Sequence, residues 1–227
     1  MSTAKHINRA FDEQLGETSH LGVKLRDLSH ASLTGSRQVL RSCDVNKAVD
    51  IIDADGEINA VSGQLINASA RTISLYQPVA GDMRRLVGWI QLAVEFERLA
   101  DHAKNICKRI CSLTKDNQKP MFHEQLNELG DVVEQHFAML DGAWRNRDVS
   151  ALLDTWRFDN QVDDAYHGIV KLAYGPEVLQ PQSALIMSLF IAKNLERIGD
   201  KISNIAEIYY YVIVGESIDF SEESYPD

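Results

Sequence analysis

Apolar residues recur along this chain at helical spacing, most regularly at Trp89, Leu92, Phe96, Leu99, Ala103, Ile106, Ile110 and Leu113, in alternating steps of three and four. That rhythm is the seam of a long amphipathic helix. Ninety-nine residues later it returns as Ser188, Ile191, Leu195, Ile198, Ile202, Ile205, Tyr209 and Val212, with one polar exception. The residues between seam positions return too. Glu97-Arg98-Leu99-Ala100-Asp101-His102-Ala103-Lys104-Asn105-Ile106 is matched by Glu196-Arg197-Ile198-Gly199-Asp200-Lys201-Ile202-Ser203-Asn204-Ile205. The chain is an internal duplication, with one such helix closing each copy.

The remaining pattern predicts two more helices per copy. Ile7, Phe11, Leu15, Leu21, Leu25 and Leu28 start a helix near Lys5; the pattern weakens through Ala31 to Ser36 and resumes at Val39, which suggests a bend at Gly35. Asp44 is placed to cap a second helix bearing Val45, Val49, Ile52, Ile58, Leu65, Ile73 and Leu75, which must end at Gln77-Pro78 because proline removes a donor and disfavours helix before it. Asp82 is the expected cap of the third helix. Asp116 to Pro120 is polar and turn-rich and reads as a linker. A fourth helix follows from Phe122 to Trp144 with His136 on its seam as a core histidine, a fifth from Val149 to Leu172 ended by Gly175-Pro176, and a sixth running to Gly215. Glu216 to Asp227 shows no periodicity. No stretch alternates with period two. The expectation is an all-α fold of six helices: two tandem, duplicated antiparallel three-helix bundles, residues 1–115 and 116–227.

Composition removes several functions. A formal net charge of −10 over 227 residues argues against nucleic-acid binding, which needs a concentrated basic surface. The N-terminus has no apolar run of the signal-peptide type, and no run approaches the ~20 apolar residues that span a bilayer, so a soluble chain is expected, reaching membranes only through partners. Cys43, Cys107 and Cys111 lack CxxC spacing and read as reduced, buried thiols. There is no glycine-rich phosphate loop and no GxSxG; Glu17-x-x-His20 is a lone copy of a di-metal motif that needs two.

The polar stripes carry the candidate chemistry. Glu97, Asp101 and Asn105 are four apart, as are Glu196, Asp200 and Asn204, and helix geometry turns both sets away from the seam. The second helices add Asp55 and Asn59 in one half and Asp159 and Asp163 in the other, 104 residues apart. Charge opposite a seam is ordinarily a solvated face, since like charges one turn apart cost only about 0.2–0.5 kcal/mol. Yet neighbouring exposed positions have drifted between the copies (His102 to Lys201, Lys104 to Ser203) and these have not. Carboxylates one turn apart on adjoining helices can hold Mg²⁺, Mn²⁺ or Fe. Arg98 and Arg197 are expected to pair with carboxylates of neighbouring helices.

The twofold E-R-[LI]-x-D-x-x-x-N-I, the opening Ala10-Phe11-Asp12-Glu13-Gln14-Leu15, the turn Gln77-Pro78-Val79-Ala80-Gly81-Asp82-Met83-Arg84 and the closing Tyr209-Tyr210-Tyr211-Val212-x-x-Gly215 together resemble the PhoU family of phosphate-signalling regulators. The resemblance spans nearly the whole chain. It implies a cytoplasmic protein, a homodimer or higher oligomer, and a negative regulator of the phosphate-starvation response that links the phosphate ABC transporter to the membrane histidine kinase of the phosphate two-component system. It also implies metal ions, iron or another, at Glu97, Asp101, Glu196 and Asp200, with Asp55, Asp159 and Asp163 as further candidates. Two departures stand out: Ala100 where the family commonly has Gly, and Asn59 opposite Asp163. The competing readings are a metal-dependent oxidase or hydrolase and a metal buffer. Catalytic turnover is not expected.

Overall fold

Residues 9–175 and 181–218 are described by the computed structural model. The beginning of the first predicted helix, Pro176 and most of the acidic tail lie outside them. Among the described residues every element is helical: α1 Arg9–Ser42, α2 Val45–Tyr76, α3 Ala80–Lys115, α4 His123–Asn146, α5 Val149–Arg157, α6 Asp159–Ala173 and α7 Gln182–Val214. The caps explain the boundaries. Asp44 accepts from the backbone N–H groups of Asn46 (2.9 Å) and Lys47 (3.2 Å) at the head of α2, Gln77 ends α2 in the left-handed region, and Asp148 accepts from Ala151 N–H (3.1 Å) at the head of α5. Asp82, the expected cap of α3, lies instead inside its first turn, where a negative charge favours the helix N-terminus without capping it.

Two expectations about continuity change. Helix α1 runs without a break through Gly35. The small polar stretch that suggested a bend is part of the buried face: Ser29 donates to the carbonyls of Leu25 (2.8 Å) and Phe96 (3.1 Å), and Ser36 to that of Leu33 (2.8 Å). Gly35 is where Ile51 of α2 comes close; a Cβ there would stand 2.8 Å from Ile51 Cδ1.

The predicted fifth helix is interrupted at Phe158, which keeps right-handed helical angles, so α5 and α6 are two segments of one kinked rod and the predicted six becomes seven. The cause is His136. Its Nε2 donates to the carbonyl of Thr155 (2.8 Å), the acceptor that Asp159 N–H would use in an unbroken helix. A side chain inserted in the ladder kinks a helix. The His136 ring packs against Phe158, and burial holds its pKa down at about 4, so the core histidine expected on the α4 seam is a neutral structural donor.

Helices α3 and α7 are the two central rods. Each packs against its own bundle and against the other, so one apolar core runs through both halves. An ion bridge reinforces the junction: the buried Arg37 of α1, 1% exposed, donates to the Asn127 carbonyl (2.9 Å) and to the exposed Asp131 (2.6 Å) of α4. Gly130 makes room for it, since a Cβ there would fall 2.1 Å from the guanidinium. The three cysteines are free thiols, and burial pushes that of Cys107 up to about 12.

Candidate functional site

Each central helix has a second buried line of small residues seven apart, Ala93, Ala100 and Cys107 on α3 and Ala192, Gly199 and Ala206 on α7. Small side chains let a neighbouring helix approach closely. Ser62 of α2 reaches the Ala93 carbonyl (3.2 Å), and a Cβ on Gly199 would lie 2.9 Å from Val162 Cγ1 and 3.0 Å from Asp159 Oδ1 of α6. The acidic side chains flank these lines. They are therefore drawn into the seams between helices rather than onto an open solvated face. Asp55 sits on the buried face of α2 itself, in line with Ile58, Ser62, Leu65, Ser69 and Thr72.

The seven predicted residues fall into two clusters. In the first, Asp55 meets Asp101 and Glu97 across the α2–α3 seam, but Lys104 fills the space between them. Its ammonium pairs with Asp55 (2.8 Å) and Asp101 (2.6 Å), while Asn59 donates to Asp55 (3.1 Å) and Asn105 to Asp101 (3.1 Å). Burial, with Asp101 and Asp55 behind it, raises the pKa of Glu97.

In the second cluster Asp159 and Asp163 of α6 face Glu196 and Asp200 of α7, and Lys104 has Ser203 as its counterpart. Burial, then the charges of Asp163 and Asp200, pushes Asp159 up to about 7; Ser203 offsets this only in part. Asp163 and Asp200 are raised as well, by burial first and the nearby Glu196 second. The neutralising cation, Lys193, lies one turn before Glu196, pairs with its Oε1 and covers the Tyr166 ring at 5.2 Å. Glu196 Oε2 is buried with no hydrogen-bond partner. Among the described residues no three acidic, histidine or cysteine side chains converge on one metal position.

Between the clusters runs a groove lined by Arg98, His102, Lys193, Arg197 and Lys201 with Asp101 and Asp200. The two central helices lock across it: His102 Nδ1 donates to Asn194 Oδ1 (3.1 Å), Lys201 pairs with Glu95 (3.1 Å), and Asn204 donates to Glu95 (3.0 Å). Asn204 thus leaves the acidic stripe to hold α3. The expected pairing of the motif arginines with neighbouring helices is not made. Arg98 stands 3.7 Å from Glu95 on its own helix, and Arg197 has no ion pair among the described residues; both arginines line the groove.

Lys104 and the small-residue lines were missed from sequence. The spacing of seven, repeated at the offset of 99, was the available signal for the second; nothing local marks Lys104 as a bridge.

The PhoU domain model matches this chain twice, over residues 23–110 and 126–209. The chain belongs to the PhoU family. A relative from Zymomonas mobilis, a phosphate-specific transport system accessory protein PhoU homolog, is 32% identical over 94% of this chain and 90% of its own length. The accessory protein PhoU of Escherichia coli is 26% identical over 93% of this chain and 88% of its own. Among solved structures, the phosphate transport system regulatory protein PhoU from Streptococcus pneumoniae superposes with a TM-score of 0.82 at 28% identity, covering 92% of this chain and 99% of that one. PhoU from Pseudomonas aeruginosa gives a TM-score of 0.85 at 22% identity, covering 91% and 100%, and bears on the fold alone. These PhoU relatives are named for accessory and regulatory roles rather than for a reaction, in agreement with a non-enzyme. No helix among the described residues is long and apolar enough to cross a membrane.

Proposed function

We propose that this PhoU-family chain is a cytoplasmic negative regulator of the phosphate-starvation response. It couples the phosphate ABC transporter to the sensor histidine kinase by protein–protein contact, as a homodimer. The observation that carries this reading is the alignment of nearly the whole chain, both domain copies included, with accessory proteins of the phosphate-specific transport system. Rigid paired bundles suit a scaffold, and exposed apolar side chains at the α2–α3 turn (Leu75, Val79) and on α7 (Ile186, Phe190) offer surface for partners. Deleting the gene should derepress a phosphate-starvation reporter in phosphate-rich medium. A reporter that stays repressed overturns the reading.

The two acid clusters divide on whether a metal ion fits. The first does not accommodate one, because the Lys104 ammonium already stands between Asp55 and Asp101. The second fits in its chemistry: four carboxylates, Asp159 holding its proton up to about pH 7 through burial and the charges of Asp163 and Asp200, and Glu196 Oε2 without a partner among the described residues. Its side chains must turn toward one another to share an ion. Glu196, Asp200, Asp159 and Asp163 would then hold Mn²⁺, Mg²⁺ or iron, which supplies positive charge that braces α6 against α7. Elemental analysis after loading should show metal in wild type and in Asp101→Asn, and a large loss in Asp200→Asn. Equal content in all three overturns the assignment.

A further inference from the structure

Toward the C-terminal end of α7, away from both acid clusters, a cavity of about 380 Å³ opens between the bundles. Its floor is aromatic. Trp144 stacks on Tyr209 with ring centroids 4.0 Å apart, and Trp89 leans against Trp144 at 5.7 Å. Gly22 of α1 admits the Trp89 ring, since a Cβ there would fall 2.1 Å from it. The Trp89 Nε1–H is buried and has no acceptor.

Four arginines, Arg26, Arg85, Arg145 and Arg147, line the same cavity. Two are neutralised: Arg26 pairs with Asp27 (2.7 Å) and Asp141 (3.5 Å), and Arg145 with Asp141 (2.7 Å). The other two are not bound to a carboxylate at the cavity. Arg85 donates to Ser19 Oγ, with the charge of Asp82 raising its pKa, and Arg147 makes no ion pair among the described residues. Burial and the charge of Arg147 both lower the pKa of Arg85, so two like charges are held close enough to oppose each other.

Repelling guanidiniums beside an apolar, aromatic floor are matched by a ligand carrying a dianion at one end and a flat body at the other. Guanidinium forks bind phosphate oxygens in pairs, and indole and phenol rings accept a planar base. The cavity is of small-molecule size, at the lower end of the roughly 300–1,000 Å³ common for such sites. We propose that it binds a phosphorylated small molecule of the nucleoside monophosphate class, its phosphate against Arg85 and Arg147 and its base against Trp89, Trp144 and Tyr209. This site is separate from the acid clusters and does not depend on the regulatory reading.

The test uses the full chain and AMP as probe, followed by the fluorescence of Trp89 and Trp144 and by calorimetry, with adenosine and inorganic phosphate as separate arms. AMP should saturate with a Kd below about 1 mM, and each fragment should bind at least about tenfold more weakly. Arg147→Ala, an exposed position whose loss leaves the core intact, should weaken AMP about tenfold, as should Arg85→Gln, while Arg98→Ala in the other groove changes nothing. Lack of AMP saturation up to about 5 mM overturns the proposal. So does adenosine or phosphate binding as tightly as AMP, or AMP binding unchanged in Arg147→Ala.

Discussion

The two acid clusters began as copies and now solve the same electrostatic problem in opposite ways. Both gather carboxylates in a seam between a central helix and its neighbour. In the first an ammonium from the chain, Lys104, sits among them and the carboxylates pair. In the second a serine stands at that position, α6 comes close to α7 at Gly199, and Asp159 retains its proton to about pH 7. A count of carboxylates does not express this difference. The position of one cation does.

The comparison breaks most visibly at Lys104. Lys104→Ser recreates the second cluster's chemistry in the first and leaves Asp55, on the buried face of α2, without its countercharge. Removing one partner of a largely desolvated pair should cost about 2–3 kcal/mol in urea unfolding at pH 7. A divalent cation should recover part of that loss. A cost under about 0.5 kcal/mol would mean the bridge is a solvated surface pair and the two clusters are equivalent.

A smaller effect is expected from pH. Folded Asp159 keeps its proton to about pH 7, whereas an unfolded aspartate releases it near 4. Between these values the folded chain binds more protons than the unfolded one, so in chelating buffer stability should fall as pH rises through that window. Asp159→Asn removes the largest part of that dependence and leaves the smaller contributions of Asp163 and Asp200. At pH 8 it should be more stable than wild type by about 1 kcal/mol, or roughly 2–4 °C in Tm by calorimetry. Identical slopes in the two proteins would show that Asp159 titrates normally.

The smallest effect separates charge count from cation position. Asn59→Asp gives the first cluster as many carboxylates as the second, at a cost of about 0.5 kcal/mol for one lost hydrogen bond and one added repulsion. With Lys104 in place it should bind no metal by elemental analysis, whereas Lys104→Ser should. Metal uptake by Asn59→Asp alone would restore the count as the deciding quantity.

These outcomes bear on residues that sequence patterns handled unequally. The seams of α3 and α7, the duplication and the cap at Asp44 all follow from local spacing and local hydrogen bonding, and the structure has them where expected. The stripe residues were identified correctly as neighbours but placed on the wrong surface. An angle measured from one seam assumes that a helix has one buried face, and a central helix has two. On α2 the apolar phase misleads as well: Val49 and Leu75 are exposed, while Asp55 is buried. Arg37 was invisible as a core residue because its burial depends on Gly130, more than ninety positions away. The kink at Phe158 likewise needs a histidine from another helix.

The contacts His102–Asn194 and Lys201–Glu95 occupy corresponding positions, each residue exchanged for its counterpart 99 places along. They are the two halves of an isologous interface, the kind that joins identical subunits about a two-fold axis. Between identical subunits any substitution appears twice and must be tolerated twice. Joining the copies in a single chain lifts that restriction. Here one of the two corresponding contacts is an ion pair and the other a histidine–amide hydrogen bond, and burial lowers the pKa of that histidine. The chain thus has a polarity at its centre that a pair of identical separate halves could not encode, with different chemistry on the two sides of the axis.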